Sequence, residues 1–231
     1  VSPPTRRVQQ RAATLAEIKA AAWTDLARSG ATGLSLRGVA REMGMAVSAL
    51  YRYVESRDDL VTALVVDSFD ALTARLSAAL AAVPVGTDVV EVFLDVGDAY
   101  RDWALGDPLA YRLAFGNPVD GYTGTPATTA AAVRSSAVLL EVMALAVDGD
   151  RVDTEVVEAL LTDDLRTALD VWSATLPRPL PVAALGAAMI CYAALHGAID
   201  LELSGHLPPA LRGRPALFRA TLRSTIEALT R

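Results

Sequence analysis

Between Ser35 and Val54 the chain reads Ser-Leu-Arg-Gly-Val-Ala-Arg-Glu-Met-Gly-Met-Ala-Val-Ser-Ala-Leu-Tyr-Arg-Tyr-Val. Its side chains are suited to hydrogen bonding with a polyanion. With a helical period, Val47, Leu50, Tyr51 and Val54 recur at i, i+3, i+4 and i+7, so they turn inward with Leu36, Val39, Ala40 and Met43. Ser48, Ala49, Arg52 and Tyr53 then face out. The outward set is short at its first end, which lets a helix N-terminus approach base edges. At its second end Arg52 and Tyr53 are long enough to reach phosphates. Two helices joined at Gly44 can lay the second across a duplex major groove about 12 Å wide. Helix–glycine–helix alone also describes an ordinary helical hairpin, so the charge around it has to decide.

Charge is distributed unevenly. Residues 1–57 carry nine basic and four acidic side chains, a balance of +5, whereas residues 58–231 carry 12 and 23, a balance of −11. A basic head on an acidic body points to a polyanionic partner at one end only. The 231 residues, 52% hydrophobic and 21% charged, are ample for a packed core and too apolar for a dominantly disordered chain.

Other reactive side chains offer little. Cys191 is the only cysteine, so no disulfide scaffold forms within the chain, and it lies in an uncharged run where a thiolate is disfavoured. His196 and His206 stand ten residues apart, about 15 Å along one helix, too far to share a metal. No nucleophile elbow, phosphate loop or acid pair stands out. The expectation is no enzyme, no metal and no cofactor. The run Pro179–Ile199 has no charged side chain and is long enough to span a bilayer. Yet it is rich in Ala and Gly, and Ala183, Ala187 and Cys191, with Ala193 and Gly197, recur every fourth residue, where a second helix can approach closely. A helix between the chain's own core and a second subunit is expected, not a membrane span. Arg6, Arg7 and Arg11 precede no apolar secretory core, so a cytoplasmic protein is expected.

The elements that must position these residues are helical almost throughout. Helices are predicted over 12–28, 36–43 and 47–53, with Ser35 as an N-cap and Gly30 and Gly33 as stops. A long one follows Ser56-Arg-Asp-Asp to about Ala82. Further helices are predicted to about Gly106, then over 107–116, 127–147, 154–174, 181–204 and 215–230. Asn117, Pro118, Gly121 and Gly124 mark a loop. The expected fold is all-α: a three-helix helix-turn-helix head over 1–57, joined by the long helix to a helical dimerisation bundle over 58–231.

The stretch from Thr14 to Val66 resembles the N-terminal domain of the TetR family of transcriptional regulators. The resemblance rests on Ser35-Leu-Arg-Gly-Val-Ala, Gly44, Val47-Ser-Ala-Leu-Tyr-Arg-Tyr-Val and Ser56-Arg-Asp-Asp-Leu. It implies that Ser35 and Arg37 hold the DNA backbone, that Val47, Ser48 and Ala49 lie against bases, and that Tyr51 and Tyr53 meet phosphate. Arg57 keeps the charge of a lysine that the family often has there, and Arg52 reaches phosphate by its outward position. Tyr192-Ala-Ala-Leu-His-Gly is similar to the Trp-x-x-x-His-Gly helix of one ligand-binding subgroup, with Tyr192 in place of Trp, and Asp107-Pro-Leu-Ala-Tyr-Arg-Leu-Ala-Phe fits the same subgroup. Phe93, Tyr100, Trp103, Tyr111, Phe115 and Trp172 read as core residues or as the wall of an effector cavity, and the resemblance favours the cavity. The resemblance implies a homodimer that binds a palindromic operator and answers to a small molecule, most simply as a repressor. Its interface is expected on Ala183, Ala187, Cys191, Ala193, Gly197, Leu222 and Ile226. The rival from another class is a helical protein–protein adaptor with a basic docking head.

Overall fold

Ile18, Ala22 and Leu26 share one face of the first helix and are fully buried there, each large side chain contributing about 1.5–3 kcal/mol by leaving water. The structure is a computed structural model describing residues 5–116, 119 and 121–231, with the side chains of 29 and 31–33 outside the description. The predicted turn formers Asn117 and Pro118 lie outside the described residues. Eleven helices are found among the described residues: α1 (Arg6–Gly33), α2 (Leu36–Glu42), α3 (Val47–Leu50), α4 (Arg57–Ala82), α5 (Val89–Gly106), α6 (Pro108–Phe115), α7 (Pro126–Asp148), α8 (Thr154–Leu160), α9 (Asp163–Ser173), α10 (Val182–Leu203) and α11 (Arg214–Glu227). Extended pairing among them is limited to one bridge, Val152 with Thr230. The fold is therefore all-α, as expected.

Capping follows the sequence closely. Ser35 Oγ accepts from the Gly38 amide at 3.0 Å, Ser56 Oγ from Asp59 at 3.0 Å, and the Asp107 carboxylate from Ala110 at 3.0 Å. Several boundaries differ from prediction: α1 starts at Arg6 and not near residue 12, and α3 stops at Leu50. α1 runs on to Gly33 through a kink at Gly30 (φ 71°, ψ 174°), so the glycine bends the helix without ending it. The single helix expected over 154–174 is two, because Leu161 is extended (φ −90°, ψ 130°) and Thr162 caps α9 through its hydroxyl. Thr162-Asp163-Asp164, a cap followed by two carboxylates at the positive end of the dipole, was the signal for that restart.

The chain forms two compact units. One comprises residues up to Ala71 with Asp107–Ala132, the other Leu72–Gly106 with Val133–Arg231. This division differs from a head ending at residue 57. In the first unit, Leu60, Val61, Leu64, Val65 and Phe69 of α4 continue the core begun by α1 and α2, and Leu113, Val119, Tyr122 and Ala131 complete it. Tyr122 also hydrogen-bonds Thr62 at 3.0 Å. Sequence patterning sees a helix–turn–helix head as self-contained, but three short helices bury little on their own. In the second unit α10 packs against α5, α8, α9 and α11. Arg101 of α5 grips Glu202 of α10 with two hydrogen bonds of 2.8 and 2.7 Å. Two helices, Pro126–Asp148 and Val182–Leu203, are long and apolar enough to cross a membrane, and each has residues buried in this fold.

Candidate nucleic-acid interface and ligand cavity

The candidate nucleic-acid surface is assembled around a buried carboxylate. Asp25 of α1, only 3% exposed, accepts from Arg28 at 2.7 Å and from the Ser35 amide at 3.2 Å. The α1–α2 junction is thus tied to α1 before α2 begins. Gly38 sits directly on this carboxylate: a Cβ there would lie 2.5 Å from Asp25 Oδ2. Gly44 then turns the chain with φ 63°, a left-handed conformation in which a Cβ is unfavourable. Arg57 Nε donates to the Leu34 carbonyl at 3.0 Å, joining the start of α4 to the same junction.

α3 is only four residues long, and this changes which tyrosine faces out. After Leu50 the chain tightens, with three-residue hydrogen bonds from Arg52 N–H to Ala49 at 3.3 Å and from Tyr53 N–H to Leu50 at 2.9 Å, before Val54 N–H reaches the same Leu50 carbonyl at 3.2 Å. With three residues per turn, Leu50 and Tyr53 eclipse one another. Tyr53 therefore packs on the core, whereas Tyr51, expected inside by a 3.6-residue period, is 53% exposed. The outward set is Ser48, Tyr51 and Arg52, with Ala49 half-buried and Val47 packed on the core.

Arg11, read in the sequence only as part of the basic charge, reaches across from α1. Its Nη1 donates to the Arg52 carbonyl at 2.8 Å and its guanidinium lies 5.3 Å from the centre of the Tyr53 ring. It holds the turn that carries Tyr51 and Arg52. The remaining head cations divide into two groups. Lys19 pairs with Asp67 at 2.7 Å and Arg28 bridges Asp25 and Glu42, so their charge is locally balanced. Arg6, Arg7, Arg37, Arg41 and Arg52 are exposed and make no side-chain ion pair with a described residue. Ser35 is exposed two residues before Arg37, its hydroxyl already capping α2.

The second unit holds a cavity of about 230 Å³. Val89 and Phe93 of α5, Leu140 and Met143 of α7 and Trp172 of α9 form part of its wall. Ala188, Met189, Cys191, Tyr192 and Leu195 of α10, Ser136 of α7 and Ile226 of α11 also line it. Burial pushes the Cys191 thiol up to about 12, so it stays protonated. Behind Tyr192, whose burial also raises its phenol, the His196 ring lies 4.3 Å away, and His196 Nε2 meets the Tyr100 hydroxyl at 2.9 Å. Burial lowers His196 to about 4 against the opposing pull of Asp200, which leaves the imidazole neutral at physiological pH.

Of the six aromatic residues expected to line one cavity, two do so, Phe93 and Trp172. Tyr100 stands two turns beyond Phe93 on α5 and serves His196, with the Trp103 ring edge-on to it at 6.1 Å. Tyr111 and Phe115 belong to the first unit, where they pack on each other and Phe115 meets Phe69. Nothing local in the sequence signals that allocation, since α6 follows directly on α5 of the other unit and the chain returns to that unit within α7.

The expected interface also divides. Ala183, Ala187 and Cys191 lie on the inward stripe of α10, and Leu222 and Ile226 on the inward stripe of α11; all five are buried in the chain's own core. Ala193 and Gly197 are exposed, in line with Met189 (42% exposed) and Leu201 (46%). The two α10 stripes are offset by two residues, about 200° around the helix, so they cannot form one surface.

Comparison with known proteins reveals the relatives of this arrangement. The profile of the Tetracyclin repressor-like C-terminal domain matches residues 93–225. The crystal structure of SCO4313, a candidate regulatory protein, is 34% identical, with 96% of this chain and 99% of that one covered and a TM-score of 0.78. A Rhodococcus sp. RHA1 protein of unknown function shares the fold at 22% identity and a TM-score of 0.69, with 94% and 95% covered. The HTH-type transcriptional regulator Rv1816 of Mycobacterium tuberculosis is 42% identical over 104 residues, 44% of this chain. That match spans 43% of its length, less than half of the curated relative.

Proposed function

This chain belongs to the TetR family of transcriptional regulators, and from that premise we propose that it is a cytoplasmic, ligand-responsive repressor that binds a palindromic operator as a homodimer. The observation carrying the reading is the exposed set Ser48, Tyr51 and Arg52 with Arg37 and Arg41. Its backbone is held from behind by Asp25, Arg11 and Arg57, and its cations have no carboxylate partner among the described residues. Ser48 and Ala49 read bases; Ser35, Arg37, Tyr51 and Arg52 hold phosphates. Tyr53 and Arg57 support the surface from their packed positions, and Val47 anchors the helix. The stripe Met189–Ala193–Gly197–Leu201 pairs two subunits, so that two heads read inverted half-sites. A small molecule in the second unit's cavity shifts the population of DNA-competent dimers by its differential affinity for the two states.

Selection of bound sequences from a random duplex pool tests this reading, with an inverted repeat as the expected product. Failure to retain any duplex overturns it and leaves the basic head as a docking surface for an acidic partner. On the selected duplex, Arg52→Ala is expected to weaken binding roughly tenfold and to lower the slope of log affinity against log salt by about one. Equal slopes for variant and parent would remove Arg52 from the phosphate contacts. Arg11→Ala separates positioning from contact. Its guanidinium is engaged with the Arg52 carbonyl and Tyr53 ring, so affinity should fall about fivefold with the salt slope unchanged to within about half a unit. A full unit of lost slope would make Arg11 a phosphate ligand.

A further inference from the structure

The effector itself can be narrowed from the cavity wall. None of the lining residues is Asp, Glu, Lys, Arg or His. A ligand carboxylate or ammonium entering there would lose hydration and meet no counter-charge, which excludes charged molecules. Three aromatic rings, Phe93, Trp172 and Tyr192, come from three different helices, joined by the sulfurs of Met143 and Met189. Rings and thioethers favour an aromatic guest over an alkyl chain of equal area. The space of about 230 Å³ is roughly half as large again as an engineered cavity of about 150 Å³ that takes up benzene. Of the hydroxyl groups on the wall, those of Ser136 and Tyr192 make no hydrogen bond with a described residue.

We propose that this cavity takes an uncharged aromatic molecule of one or two rings that carries a single hydroxyl or carbonyl. The proposal rests on the cavity being the effector site. Trp172 in the wall supplies the reporter, since its emission changes when a ring system stacks beside it.

Titration of the full chain with 1-naphthol, 1-naphthoate and 1-decanol, each with ten skeletal carbons or one more, tests the class. Binding is followed by tryptophan quenching and by calorimetry. 1-Naphthol is expected to bind, 1-naphthoate at least about a hundredfold more weakly, and 1-decanol about tenfold more weakly. Naphthoate or decanol binding as tightly as naphthol overturns the proposal, as does no binding of naphthol. Ala188→Trp, which fills the cavity, is expected to abolish uptake; should it fail to fold, Ala188→Leu is expected to weaken uptake at least tenfold. Parent-like affinity in a folded variant places the ligand elsewhere and also overturns the proposal. Tyr192→Phe should weaken naphthol binding about fivefold yet leave naphthalene unchanged, and equal loss for both would remove the hydrogen bond from the account. A duplex shift on the same samples separates this class from its premise. Naphthol bound without any change in operator affinity supports the ligand class and removes the effector reading. Operator release by the charged analogue alone overturns the class and retains the effector site.

Discussion

Gly38→Ala is expected to lower the melting temperature of the head by roughly 5–10 °C, although alanine is the better helix former. The helix preference favours the substitution by about 0.5–1 kcal/mol. Against it stands a Cβ placed 2.5 Å from Asp25 Oδ2, 2.7 Å from Oδ1 and 2.8 Å from the carboxyl carbon. The carboxylate has no free direction in which to withdraw, because Arg28 and the Ser35 amide hold it. Overpacking of about 1–3 kcal/mol adds to the weakening of charge-assisted hydrogen bonds worth about 1.5–3 kcal/mol, and these outweigh the propensity gain. A net loss of about 2–3 kcal/mol converts to the stated shift for a chain of this size. Duplex binding should fall with it, since the same carboxylate sets the start of α2. Calorimetric melting of the variant beside Arg37→Ala, an exposed neighbour with no described partner, provides the check. A Gly38→Ala protein that melts with the parent would show that Asp25 yields at little cost.

Ala187→Glu and Ala193→Glu lie six residues apart on α10 and should fail in opposite ways. Ala187 is fully buried in the second unit, so a glutamate there enters the core without a partner. Losses above about 4 kcal/mol are typical of that error, and the variant is expected to be largely unfolded by circular dichroism. Ala193 is exposed on the stripe of Met189, Gly197 and Leu201, so its glutamate remains in water in a single chain. The Ala193→Glu protein is expected to keep the parental melting temperature as a monomer and to sediment at half the mass of the parent. A folded Ala187→Glu protein would contradict the burial of that stripe. A dimeric Ala193→Glu protein would move the subunit contact to another face.

Much of this molecule was legible beforehand for a definite reason. Helix period, N-caps and charge are local or additive, so Ser35, Ser56 and Asp107 announce three helix starts, and the balance of basic against acidic side chains separates the head from the body. The TetR-like motif around Gly44 is equally local, and its period puts Leu50 and Val54 inside and Ser48 and Arg52 outside, as found, while Ala49 is half-buried where an outward position is expected. Tyr51 and Tyr53 differ more. They exchange places because the chain tightens from 3.6 to three residues per turn after Leu50, and no side-chain pattern records that change.

The amino-acid order therefore determined which segments are helical, where most begin, and which end of the chain carries the positive charge. Tertiary structure alone decided which α10 stripe is buried, and that Leu113 and Phe115 of α6 join the core of the first unit. It also drew Arg11 to the Arg52 carbonyl and Asp25 to the Ser35 amide. The reason is one of range. A small residue recurring every fourth position fits equally well against the chain's own core or against a second subunit, and only the position of the neighbouring helices removes that degeneracy.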